Sequence, residues 1–234
     1  MDFSNKSVMV TGAAGNLGRA VAAAFLTRGA HLILVDLRRD SLVQAYGTED
    51  TQRLFAPADL LAPEQVDAVV REACQRFGRI DVLCNVAGGF RMGPAVHETP
   101  DADWDYLFDI NVRSLLHAVR AVAPEMVHQG GGKIINVSAG AALRGSAGMG
   151  AYSASKDAVI RLTETMAAEL RDKNINVNCV LPSIIDTPAN RAAMPEADPK
   201  RWVAPEAIAD TMVFLASDGA RAIHGAAIPI VGLV

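Results

Sequence analysis

Residues 8–25 read VMVTGAAGNLGRAVAAAF: an apolar run, a glycine-rich turn, then an alanine-rich stretch. The run ending at Thr11 has the two-sided apolar character of a strand buried in a parallel sheet. Gly12 permits a tight turn. Gly18 lets a helix beginning near Leu17 pack closely on the strand. Such a turn leaves free backbone N–H groups, and the positive end of a helix, facing a pyrophosphate. A purely structural turn is the bland alternative. The placement between strand and helix is the context that a dinucleotide site requires.

Moving outward, apolar runs alternate with helical patterns along the chain. The expected strands are Ser7–Thr11, His31–Val35, Gln52–Phe55, Ile80–Cys84, Lys133–Val137, Asn174–Leu181 and Ala226–Ile230. The expected helices are Leu17–Arg28, Pro63–Phe77, Asp103–His128, Tyr152–Arg171 and Pro205–Ala216, with a short one around Asp40–Tyr46. This alternation predicts the α/β class, a doubly wound parallel sheet (Rossmann fold) in a single domain spanning 1–234. The patternless stretch 182–204 is expected to be a substrate loop or lid.

Asp36 follows HLILV, at the end of the second expected strand. A carboxylate there can accept hydrogen bonds from the adenosine ribose and repel a 2′-phosphate. NAD is therefore the expected cofactor, with NADP as the alternative because Arg38 and Arg39 follow Asp36 after Leu37 and could attract a phosphate.

The bulk numbers narrow the function classes. Half of the 234 residues are hydrophobic, 21% are charged and the net charge is −4. Nothing there attracts nucleic acid or an anionic membrane. Five dispersed His give no metal spacing, and no apolar run is long enough to span a bilayer. Three separated cysteines without a CxxC pattern fit free thiols in a reducing compartment, so a cytoplasmic location is expected. The expected partner is a small-molecule substrate.

Further motifs resemble those of the short-chain dehydrogenase/reductase family. Thr11, Gly12 and Gly18 match its Thr-Gly-x-x-x-Gly-x-Gly pattern, with Gly15 displaced and Asn16 in the middle Gly position. Asn tolerates positive φ, so the turn is expected to survive. Asp59-Leu60 resembles the pair beside adenine. Asn85-Val86-Ala87-Gly88 is similar to the segment after the fourth strand. Asn111, Tyr152 and Lys156 match the family's catalytic Asn and Tyr-x-x-x-Lys pair, and Pro182 and Thr187 its nicotinamide flank. The resemblance implies that Gly12, Gly15, Asn16, Leu17, Gly18, Asp36, Asp59, Leu60, Asn85, Ala87, Gly88, Tyr152, Lys156, Pro182 and Thr187 hold the cofactor. It also implies a homodimer or homotetramer, Lys156 on the nicotinamide ribose, and Asn111 anchoring a water between Lys156 and solvent.

Four residues of separation put Tyr152 and Lys156 on one helical face. A phenol normally releases its proton near ~10, and a neighbouring ammonium together with a cationic nicotinamide lowers that value. Tyr152 is then expected to exchange a proton with the substrate while hydride moves on the cofactor.

The family's usual Ser, thirteen positions before the Tyr, is Ala139 here. Ser138 precedes it, and strand alternation points the two residues to opposite faces. Ala139-Gly140-Ala141 and the run Asp186 to Asp198 resemble dihydropteridine reductases within the family. Ser138, Ala139, Arg91, Arg144 and Met194 are the candidate substrate residues. The expected activity is hydride transfer between NAD(P)(H) and a small carbonyl, an alcohol or a quinonoid pterin-like compound. The alternative is a dinucleotide-sensing binding protein without turnover.

Overall fold

The computed structural model describes Met1–Val234. Its strands are β1 (Ser7–Thr11), β2 (His31–Asp36), β3 (Arg53–Pro57), β4 (Val82–Asn85), β5 (Gly132–Val137), β6 (Ile175–Pro182) and β7 (Ala227–Ile230). Its helices are α1 (Asn16–Leu26), α2 (Arg39–Tyr46), α3 (Pro63–Phe77), α4 (Asp101–Phe108), α5 (Ser114–His128), α6 (Gly150–Leu170), α7 (Pro188–Ala193) and α8 (Pro205–Ala216). The seven strands form one sheet in the order β3-β2-β1-β4-β5-β6-β7, and every pair is parallel.

Strand alternation divides the core between the two faces of the sheet. Val8, Val10, Leu32 and Leu34 pack with Val21 and Phe25 of α1, Leu42 of α2 and Ile208 of α8. Met9, Ile33 and Val35 point the other way, onto Val69 of α3, Val122 of α5 and Val159 of α6. Both faces must be covered because parallel strands are buried on both sides, hence the near-continuous apolar runs in the sequence. The short edge strand β7 carries Pro229, which weakens it as a template for further pairing.

Several expected boundaries move. The strand expected at Ile80–Cys84 begins at Val82, because the Asp81 carboxylate takes the Ser7 N–H at 3.0 Å. The strand expected at Gln52–Phe55 runs over Arg53–Pro57. Asn174 is not in a strand: it holds φ +59, closing the turn that leads into β6. The helix expected at Asp103–His128 consists of α4 and α5, joined by a π turn over Asp109–Arg113. The stretch 182–204 is partly ordered by α7, which Thr187 caps by accepting from the Asn190 N–H at 3.2 Å. Its base is closed by the bridge between Ile185 and Val203. No helix is long and apolar enough to cross a membrane.

The order places a topological switch between β1 and β4, since the chain winds from β1 towards β3 and then returns to the other side of β1. Ligands in such sheets bind in the crevice beyond the carboxyl ends of the strands at that point.

Candidate active site

A cleft of about 750 Å³ opens at the switch point. Gly12, Gly15, Asn16, Leu17, Gly18, Asp36, Asp59, Leu60, Ala87, Gly88, Ser138, Ala139, Tyr152, Lys156, Pro182 and Thr187 all line it. Sixteen candidate positions scattered from 12 to 187 thus converge on one groove.

The floor of the cleft is built by close approach. Gly12 holds φ +63, and a Cβ there would lie 2.8 Å from Ala87 Cα. A Cβ on Gly18 would lie 2.2 Å from the Gly12 carbonyl oxygen. Thr11 ties the two loops together, its Oγ1 accepting from the Val86 and Ala87 N–H groups at 3.1 Å each. Asn16 does not need the left-handed backbone that was expected to excuse it. It is the first residue of α1, and the N-cap Gly15 is itself extended at φ −71. No side chain caps α1, so its first N–H groups face the cleft.

At the far end of β2, Asp36 accepts from the Ala14 N–H through Oδ2 and from the Leu37 N–H through Oδ1, both at 2.9 Å. Each carboxylate oxygen keeps a lone pair for a ribose hydroxyl. Tyr46 supports this turn by donating to the Ala13 carbonyl at 2.6 Å. Its position at the end of the short helix α2 gave no signal in the sequence.

At the other end, α6 presents Tyr152 and Lys156 one turn apart. Lys156 is 5% exposed, and its Nζ donates to the Val137 carbonyl at 3.1 Å. Its other two donors have no protein acceptor, which leaves them for hydroxyls of a bound group. Burial pulls this ammonium down to about 8 and pushes the Tyr152 phenol up to about 12. The lowered phenol expected from sequence is therefore absent in the cofactor-free protein, where loss of water outweighs the neighbouring cation.

Asn85 and Asn111 stand behind the cleft wall rather than on it. Asn85 donates to Asn136 Oδ1 at 2.9 Å, while its own Oδ1 is buried without a partner. Asn111 rides on the π turn. It accepts from the Gly89 N–H at 2.9 Å, and donates to the Gly89 carbonyl and to Ser155 Oγ at 3.1 Å each. The side chain thus braces the loop after β4.

Among the candidate substrate residues, Ser138 and Ala139 both line the cleft, but the Ser138 hydroxyl proton is spent within the protein, donated to the Lys156 carbonyl at 2.7 Å. Arg91, Arg144 and Met194 do not line the cleft. Arg91 is held off by an ion pair with Asp103, with its guanidinium 4.2 Å from the Tyr106 ring centroid. Arg144 lies exposed on the surface. Met194 is the residue after α7, at the opposite end of that helix from Thr187. Reading the sequence missed Phe90, whose ring meets Tyr152 edge-on at 4.9 Å between centroids.

The features that would receive NAD are concrete: a glycine cradle that a Cβ would fill, an uncapped helix end, a carboxylate at β2 and an ammonium with spare donors. The groove fits that group.

Known proteins resemble this chain along nearly its whole length. The family model described as short chain dehydrogenase matches residues 6–198. A 3-oxoacyl-(acyl-carrier-protein) reductase from Thermotoga maritima is 33% identical over 245 residues, covering 99% of this chain and 98% of that protein. D-threitol dehydrogenase from Mycolicibacterium smegmatis is 35% identical over 243 residues, covering 98% and 93%. The crystal structure of an NAD+-bound xylitol dehydrogenase superposes with a TM-score of 0.88 at 30% identity, covering 99% of this chain and 100% of that one.

Proposed function

The chain belongs to the short-chain dehydrogenase family, and on that premise we propose that it is an NAD-linked oxidoreductase acting on a small carbonyl or alcohol. The observation that carries this reading is the placing of Tyr152 and Lys156 on one wall of a groove whose other end holds Asp36. When bound, the cofactor supplies or accepts the hydride. Asp36 takes the adenosine ribose hydroxyls and repels a 2′-phosphate. The first turn of α1 receives the pyrophosphate, and Asp59 and Leu60 lie beside the adenine. Lys156 donates to the nicotinamide ribose, and Pro182 and Thr187 flank the nicotinamide.

The Tyr152 hydroxyl exchanges the proton with the substrate oxygen: in reduction, carbon gains hydride and oxygen gains the phenol proton, which solvent then replaces. Lys156 holds its ammonium on the same helical face as Tyr152, and together with the positive charge that an oxidised nicotinamide would add when bound it favours the phenolate. Asn111 holds the loop carrying Gly88 and Gly89 against this pair. The stretch 182–204 acts as the lid over the substrate end.

Ala139 favours a second substrate reading, a quinonoid dihydropterin: an already activated acceptor has less need of a second hydroxyl donor than a simple ketone has. Exposed Trp104, Leu116 and Val127 on α4 and α5 support assembly into a homodimer or homotetramer. Three free cysteines fit the cytoplasm.

The test is NADH and NADPH oxidation against ketones, aldehydes and a quinonoid dihydropterin. Turnover with a kcat/KM favouring NADH is expected. Tight NADH binding with no turnover on the whole panel would make the chain a dinucleotide-binding protein instead.

A further inference from the structure

The substrate end of the cleft is poor in free hydrogen-bond donors. Two serines lie there among the residues lining the cleft, and each hydroxyl is committed to a backbone carbonyl: Ser138 to Lys156 at 2.7 Å and Ser183 to Val231 at 2.8 Å. The Tyr152 hydroxyl is then the donor left beside the α6 wall, since Thr187, whose hydroxyl only accepts from the Asn190 N–H, stands at the nicotinamide flank. Beside it stands Phe90, 57% exposed and perpendicular to the tyrosine ring, so a face of the phenyl group is open.

Phe90 is held in place from both sides. Asn111 takes both backbone groups of Gly89. A Cβ on Gly89 would lie 3.0 Å from the Tyr106 hydroxyl, so the strap runs tight against α4. On the other flank, Arg91 pairs with Asp103 and covers the Tyr106 ring. An aromatic ring fixed in this way loses little freedom on meeting a ligand.

We propose that Phe90 is the specificity-determining residue of the substrate end, and that it selects planar, conjugated carbonyl compounds over polyhydroxylated ones. The inference rests on the oxidoreductase reading for its proton donor, Tyr152. A flat conjugated ring gains offset stacking on the open phenyl face and needs a single donor at its reacting oxygen. A polyol or hydroxyketone brings several hydroxyls into a wall whose serine protons are already taken, and each left unpaired counts against binding.

The experiment compares isatin, a flat aromatic dicarbonyl, with dihydroxyacetone. Affinity for the NAD+-loaded protein is read by calorimetry, where no turnover occurs, and kcat/KM is read separately with NADH. The wild-type protein is expected to prefer isatin in both measurements. Phe90→Ala is expected to reduce that preference about tenfold, the upper range for an aromatic pair. Phe90→Tyr, which keeps the ring, is expected to retain it. Each preference is a ratio within one protein, so a partly unfolded variant does not imitate the effect. Preference for dihydroxyacetone in the wild type, or the same ratio in Phe90→Ala, would overturn the proposal. Phe90-dependent isatin binding without turnover of either compound or of the wider panel of ketones, aldehydes and quinonoid dihydropterin would remove the oxidoreductase reading and leave the assignment of Phe90 as the ligand-selecting residue standing.

Discussion

Burial acts on Tyr152 and Lys156 in opposite senses, and both consequences are measurable. Tyr152→Phe removes only the exchangeable proton, so kcat should fall by roughly 10²–10⁴ while NADH affinity stays within about threefold. A fluorescence titration and a rate measurement on the same preparation check the two halves. For Lys156, the folded value is about 8 against an ordinary 10.5. Between those values the unfolded chain holds a proton that the cofactor-free folded chain has released. Stability should therefore rise with pH from 8 to 10.5, and the full cost of the buried charge is carried below 8. Lys156→Met should stabilise the cofactor-free protein at pH 7, by at most on the order of 3 kcal/mol, with the gain vanishing towards pH 10.5. Urea midpoints across that range decide it; an equal gain at both ends would show that the ammonium is not the cause. The pair was legible in the sequence through its resemblance to the family's Tyr-x-x-x-Lys motif, and a spacing of four on a helix then gives the two a common face. The direction of the phenol's shift was not legible, since it depends on how much water the fold excludes.

Elements explain which other residues could be read and which could not. Gly12 and Gly18 were readable because each stands where a Cβ would collide with backbone, at 2.8 Å and 2.2 Å respectively. The strands were readable because alternate residues feed two core faces, as Met9 does against Val8 and Val10. Arg91 could not be placed from sequence: a loop arginine near a cleft looks like a substrate ligand, and its pairing with Asp103 on α4 shows only in the fold. Phe90 gave no signal because its role depends on the π turn that carries Asn111 inward. That turn joins α4 to α5 without a glycine or proline to mark it, so the stretch read as one helix. π turns inside longer helices often mark functional sites. Asn111→Ala should free the Gly89 strap and leave Gly89 N–H and the Ser155 hydroxyl without this partner. The expected result is a loss of about 1–3 kcal/mol in stability, typical for unpaired buried polar groups. A fall in kcat should accompany it. Hydrogen exchange at Gly89 separates the causes: faster exchange there with native-like exchange in β1 and β4 supports a loosened strap. Unchanged exchange at Gly89 would deny Asn111 the bracing role.

At the scale of the molecule, the sheet order and the cleft are one fact. Reversal of winding at β1 opens the crevice between β1 and β4. The groove is walled by β1, β2, β4, β5, α1 and α6, so a ligand lying in it bridges both halves of the sheet. Such a ligand binds the folded chain and not the unfolded one, and must raise the unfolding temperature of the whole domain. At a concentration about a hundred times its dissociation constant the gain is about 2.7 kcal/mol, or a shift of roughly 5–10 °C for a domain of this size. NADH should therefore shift the melting curve by that amount as one cooperative transition. NADPH at equal concentration should shift it less, because its 2′-phosphate meets the Asp36 carboxylate. Tyr152→Phe should keep the NADH shift, since the phenol proton takes no part in holding the pyrophosphate or the adenosine ribose. A larger shift with NADPH would reverse the role of Asp36 and point to the adjacent Arg38. No shift with either dinucleotide would mean that the crevice at the switch point is not a cofactor groove.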